Sequence, residues 1–197
     1  MGIYNAQISA GSLMLQESRR VARLLVSGPT EVEWLRAIKD ENILQKNTPS
    51  TALRQARLIR NRLLTLNAEA WELIAESEQE VATQLLLAAA VKHSRLLADF
   101  MQDIYAQQLR RLEHELSPHL WDGFLTECMH RDDQVAEWTS STKKKLFEVI
   151  IRILTEAKYL DSSRRLNMTP AMLHPKVVAY LKRNNESQVL STMEHSR

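Results

Sequence analysis

The sequence predicts an all-α fold, a multi-helix bundle in two lobes with at most one short β-hairpin near the C-terminus. Three observations carry this. The 197 residues hold only four Gly, five Pro, three Phe and four Tyr beside abundant Leu, Ala, Glu, Gln and Arg, a balance that favours helices over strands. Apolar residues recur at three- and four-residue spacing along most of the chain. The 44% apolar and 25% charged content is that of an ordinary globular protein, and the length fits one large domain or two small ones at roughly 100–200 residues each.

A first helix is expected over 12–27. Ser12 can cap it, Leu13, Val21, Ala22, Leu24 and Leu25 share one side, and Gly28-Pro29 stops it. Thr30 with Glu33 makes a capping box for a second helix through Trp34, Leu35 and Ile38. Thr48-Pro49 opens a third that reaches Leu66. Asn67 caps a short fourth holding Trp71, Leu73 and Ile74. From Glu78 to Glu115 neither Pro nor Gly occurs, so one very long helix fits, or two with a kink near residues 92–94. Ser117-Pro118 is the clearest break and divides an N-terminal lobe, 1–116, from a C-terminal lobe, 117–197. Two short helices follow, about 119–129 and 133–138, and then a long one, about 142–158. Residues 159–174 lose the helical stripe and carry Pro170, which suits a small hairpin or an irregular arm. A helix opened by Pro175 and a tail helix near Val189 to Met193 end the chain.

Several chemistries have no support. Residues 1–15 contain no Lys or Arg, so no basic start of a signal peptide is present. The longest unbroken apolar run, Leu85 to Val91, is far short of the ~20 residues that span a bilayer. The single Cys128 cannot close an internal disulfide, which suits a reducing cytoplasm. Cys128 and His130 point to nearly opposite sides of a helix, and His114 and His119 straddle a break, so no metal-ligand set emerges. There is no phosphate-cradling Gly loop, HExxH or GxSxG. A non-enzymatic protein without cofactor or metal is the expectation.

Charge is segregated although the net value is only +2. Between Asn42 and Ala68 five basic residues stand without an acid, Lys46, Arg54, Arg57, Arg60 and Arg62, and an acidic stretch of Glu69, Glu72, Glu76, Glu78 and Glu80 follows. On the third helix Arg54, Arg57 and Arg62 fall on or near the side opposite the apolar stripe, whereas Arg60 borders it and reads as a structural ion-pair residue. On the first helix Arg19, Arg20 and Arg23 project away from the apolar side. The planar guanidinium suits phosphate, so both faces are candidate DNA-binding surfaces; the alternative is that they are solvated or laced to the glutamates of the fourth helix. Lys143, Lys144 and Lys145 form a third candidate cluster in the first turn of the long helix, where cations oppose the helix dipole. That helix with the arm after it, carrying Arg164 and Arg165, could act as a recognition helix plus wing, making the C-terminal lobe winged-helix-like. The same polar face, continuing through Glu148, Arg152 and Glu156, also fits an ordinary solvated helix.

The segments QESRRVARLL (16–25), ENILQKNTPSTALRQARLIRNRL (41–63), VKHSRLLADFM (91–101), LSPHLWDGFLTEC (116–128), STKKKLFEVIIRILTEAKYL (141–160) and HPKVVAYLKRN (174–184) together resemble the BrxA family of BREX (bacteriophage exclusion) phage-defence systems. The resemblance runs from about residue 4 to 193 and leaves Glu194 to Arg197 as a free tail. It implies a NusB-like helical fold and work beside a methyltransferase, an alkaline-phosphatase-like protein, an ATPase and a Lon-like protease. It also implies binding of double-stranded DNA, without catalytic residues to carry over. The expected function is thus a double-stranded-DNA-binding accessory subunit of a BREX system, soluble and cytoplasmic. A protein-interaction adaptor that does not itself bind DNA is the rival, and an RNA-binding antiterminator-like protein follows only from fold analogy.

Overall fold

Local signatures set where the helices begin. The computed structural model describes residues 2–169 and 171–195; 68% of the chain is helical, and among the described residues only two isolated β-bridges occur. The chain divides into two compact units, Leu13–His93 and a discontinuous one that joins Met1–Ser12 to Ser94–Arg197. Ser117-Pro118 lies inside the discontinuous unit.

The first unit holds α1 (Leu15–Val26), α2 (Glu31–Lys39), α3 (Pro49–Leu63), α4 (Ala68–Glu76) and α5 (Gln79–His93). Thr30 and Glu33 form the full reciprocal capping box of α2, and the side chains of Thr48 and Asn67 accept from Thr51 N and Ala70 N to start α3 and α4. Gly28, at φ +64°, ends α1 in the left-handed region that a Cβ disfavours. Ser12 does not cap α1: the helix starts at Leu15 behind Met14, and the Ser12 hydroxyl donates to Glu156 instead. α5 is buried nearly all round, from Val81 to Val91, as befits a helix surrounded by its neighbours α1, α3 and α4.

The long stretch after Glu78 breaks at Ser94, which is extended and caps the next helix through Leu97 N. α6 (Arg95–Asp99), a π-helical turn Phe100–Tyr105 and α7 (Ala106–Arg110) follow in one line, stopping short of Glu115. α8 (His119–Arg131), a 3-10 turn Asp133–Glu137 in place of a short helix, α9 (Ser140–Glu156), α10 (Pro175–Arg183) and α11 (Ser187–Glu194) complete the unit. Phe100 packs edge-on against Trp121 and Phe124 of α8, with ring centroids 5.8 and 5.3 Å apart. The N-terminal segment is part of the same core. Tyr4, 3% exposed, donates its hydroxyl to Asp99 at 2.7 Å and its backbone N–H to Asp132 at 2.9 Å. Asp99 also receives Arg95 at 2.7 Å, so its buried charge is compensated.

Residues 159–169 form the expected hairpin. Leu160 bridges Met168, and Glu115, ahead of α8, bridges Asn167 on the other side, giving the narrow order 115–167/168–160. Pro170 lies outside the described residues. The tail does not hang free as far as it is described: Glu194 ends α11, and the His195 ring rests against Tyr105 and Tyr159 at 4.8 and 5.1 Å. Ser196 and Arg197 lie outside the described residues.

Candidate nucleic-acid interface

α9 buries Leu146, Val149, Ile150, Ile153 and Leu154 and turns a polar stripe outward: Ser141, Lys144, Lys145, Glu148 and Arg152, all exposed and all at three- or four-residue spacing. Lys143 is half-buried at its edge. The helix begins two residues earlier than its sequence suggests, at Ser140, with the Thr139 hydroxyl accepting from Thr142 N. The three lysines therefore stand in the second turn, past the reach of the worst repulsion from the positive helix end. Lys145 meets Glu148 at 3.6 Å, an exposed pair worth little.

A short hairpin follows α9 in the chain. Asp161 ties its base by accepting from Asn167 at 2.8 and 3.1 Å, and the Ser162 hydroxyl accepts from Arg165 N at 3.1 Å. Arg164 and Arg165 are exposed at the tip. The chain order is helix 95–110, strand-like 115, helix α8, helix α9, strand-like 160, tip, strand-like 167–168. This order of elements is the one a winged helix has.

The α1 arginines hold the fold. Arg19 Nη2 donates to Ser77 O at 2.5 Å, and Arg23 donates to Ala75 O and Glu76 at 2.9 Å each. Both thus serve the carbonyl end of α4, where cations are favourable. Arg20 donates to Ile43 O at 2.9 Å and Gln45 at 3.1 Å, fixing the loop after α2. Of the α3 set, Arg54 and Arg57 are exposed and form no ion pair among the described residues. Arg60 behaves as its border position predicts: it pairs with Glu31 at 2.9 Å and lies 4.6 Å from the Trp34 ring. Arg62 departs from expectation and is only 3% exposed. α3 is covered by α1, α2 and α5 at once, so Leu58 and Arg62 form a second buried stripe that a single apolar face does not reveal. Its charge and burial together hold neighbouring His93 below the usual imidazole range, burial first.

Of the nine candidate residues, Lys143, Lys144 and Lys145 therefore belong to the same compact unit as Arg164 and Arg165, whereas Arg54 and Arg57 belong to the other unit and the remaining four are committed inside that other unit. Arg152 was hidden from sequence reasoning by the alternating signs around it; the signal was its seven-residue spacing from Lys145. No group of three metal-ligating side chains occurs among the described residues, and no described helix is long and apolar enough to cross a membrane. Cys128 is buried, and burial pushes its thiol up to about 11.

A family model described as BrxA matches residues 2–185. The chain is 40% identical over 193 residues to a BREX protein BrxA of Paramagnetospirillum magneticum, covering 98% of this chain and 97% of that one. It is 35% identical over 187 residues to a BREX protein BrxA of Escherichia coli O9:H4, covering 95% and 88%. A crystal structure of an uncharacterized protein from Magnetospirillum magneticum superposes with a TM-score of 0.91 at 38% identity, over 98% of this chain and 99% of that one.

Proposed function

Because this chain belongs to the BrxA family of BREX phage-defence proteins, we propose that it is a cytoplasmic accessory subunit, without catalysis of its own, that binds double-stranded DNA through its winged-helix surface. The observation that carries this reading is the outward basic stripe of α9, with an arginine-tipped hairpin following it in the same compact unit. B-DNA's major groove, about 12 Å wide, admits one α-helix, and a recognition helix enters with its N-terminal residues towards the bases. Here those residues are Ser141, Lys144 and Lys145, with Arg152 two turns on. The backbone N–H groups and hydroxyls at 139–142 suit a backbone phosphate. Arg164 and Arg165 reach for the flanking strand as a wing does. Most of the attraction is electrostatic and falls with salt. Other BREX subunits, among them the methyltransferase, the phosphatase-like protein and the ATPase, are the partners this placement calls for.

A second reading has its own support. Arg54 and Arg57, exposed and without an acid partner among the described residues, offer α3 of the other unit as a docking face for an acidic surface of such a subunit. Fluorescence anisotropy with unrelated duplexes across a salt series separates the two. Replacing Lys144 and Lys145 by Glu is expected to weaken every duplex and flatten the log–log salt slope by about two, roughly 0.9 for each phosphate no longer neutralised. Arg54→Glu with Arg57→Glu is expected to leave the slope unchanged. The opposite pattern moves the interface to α3. Unaltered binding by both variants overturns the winged-helix reading, and the absence of duplex binding by the parent leaves the adaptor.

A further inference from the structure

Away from α9, a cleft of about 320 Å³ opens between the π-helical segment and the last helix. Gln102, Gln107 and Arg110 line one wall, and Ser191, Thr192 and His195 the other. This lining is mostly polar, Ala106 apart, and the volume is at the lower end of the roughly 300–1,000 Å³ of small-molecule sites. The wall from the long helix is shaped by the π turn Phe100–Tyr105, whose extra residue swings Gln102 into the cleft, where its amide donates to the Thr192 hydroxyl at 2.6 Å. Such turns cost hydrogen-bond geometry and are concentrated at functional sites.

Two further features demand an occupant. The His195 ring rests against Tyr105 and Tyr159. Both its nitrogens are shut off from bulk water and have no partner in the described chain. A buried polar atom without a partner is a standing cost that a hydrogen-bonding ligand removes, here after a small turn of the ring. The imidazole stays neutral well below neutral pH, so it can donate from one nitrogen and accept at the other. Arg110, exposed at the mouth, forms no ion pair among the described residues. The one carboxylate in the lining, Asp103, is already taken by Arg131 at 3.0 Å. Arg110 is therefore the one charge in the lining without an ion-pair partner among the described residues, beside donors and acceptors for several hydroxyl groups.

We propose that this cleft binds a small phosphorylated polyol of the sugar-phosphate class, its phosphate on the Arg110 guanidinium and its hydroxyls on Gln102, Gln107, Ser191 and His195. The fork of an arginine matches a phosphate in two parallel hydrogen bonds, and a cleft of this size has room for a ribose phosphate.

Calorimetric titration of the full chain with ribose 5-phosphate, ribose and inorganic phosphate tests it. Saturable binding of ribose 5-phosphate is expected, with ribose and inorganic phosphate each weaker by about tenfold or more, the worth of one charge-assisted hydrogen bond. Arg110→Gln, an exposed change that leaves folding intact by circular dichroism, is expected to weaken ribose 5-phosphate by a similar factor, and so is His195→Ala. Absence of saturable binding overturns the proposal, as does equal binding of inorganic phosphate or an Arg110→Gln variant that binds like the parent. Duplex affinity of Arg110→Gln should equal that of the parent, which keeps this test separate from the DNA reading.

Discussion

His195 and Tyr4 lie near opposite ends of the sequence, and each is fixed by partners that no local pattern names. Tyr4 reaches Asp99 across 95 positions and Asp132 across 128. Burial, with the charge of Arg110 added, pushes the His195 imidazole down to about 4 from its ordinary 6.5. At neutral pH the ring is uncharged whether the chain is folded or not, so it adds no pH dependence there. As pH falls through 6.5 towards 4 the unfolded chain takes up a proton that the folded one refuses, and stability drops. His93, depressed by burial and Arg62, acts in the same direction. Melting temperatures between pH 7 and 4.5 should therefore fall more steeply for the parent than for His195→Gln. Parallel curves would show that the ring is not closed off from water. The same distance in sequence explains why Arg19, Arg20 and Arg23 were open to two readings. Their outward projection from α1 is a property of the helix, but the carbonyls of Ser77, Ile43 and Ala75 that receive them lie 58, 23 and 52 residues away.

Helix starts are legible because each is a signature within four residues: Thr30 with Glu33, Thr48 with Pro49, Asn67 ahead of Ala70. Helix interiors are legible only where one face packs. α3 packs on several sides, which is why Arg60 at the edge of the stripe was placed correctly and Arg62 was not. The π turn at Phe100–Tyr105 has no signature of its own, since it exists to fit α8 and α11 against one helix. The hairpin was readable as the place where the helical stripe stops, while its bridge to Glu115 depends on a segment more than fifty positions upstream. The arginine assignments give a stability test at this scale. Arg19→Ala and Arg23→Ala strip donors from the carbonyl end of α4 and should each cost about 1 kcal/mol in urea denaturation, the usual net worth of a hydrogen bond. Arg54→Ala and Arg57→Ala, with no ion-pair partner to lose, should stay within about 0.5 kcal/mol of the parent. Equal losses from all four would mean that α4 closes without its arginines.

For the molecule as a whole, one consequence of the division at Leu13 and His93 is that the first unit has a core of its own: α5 is surrounded by α1, α3 and α4 of the same segment. A fragment confined to Leu13–His93 should be helical and melt in one cooperative step, whereas residues 94–197 produced without 2–12 should lose the Tyr4 anchors and melt lower than the intact chain; both are read by circular dichroism. A fragment of 13–93 that stays unfolded would place part of its core elsewhere. The order of synthesis turns this layout into a timetable. The aspartate that receives the backbone N–H of Tyr4 follows 128 positions later, a wait on the order of ten seconds at about 5–20 residues per second. The unit Leu13–His93 is therefore synthesised before either partner of Tyr4 exists, and the segment around Tyr4 stays unanchored, open to chaperones, until first Asp99 and then Asp132 have been made.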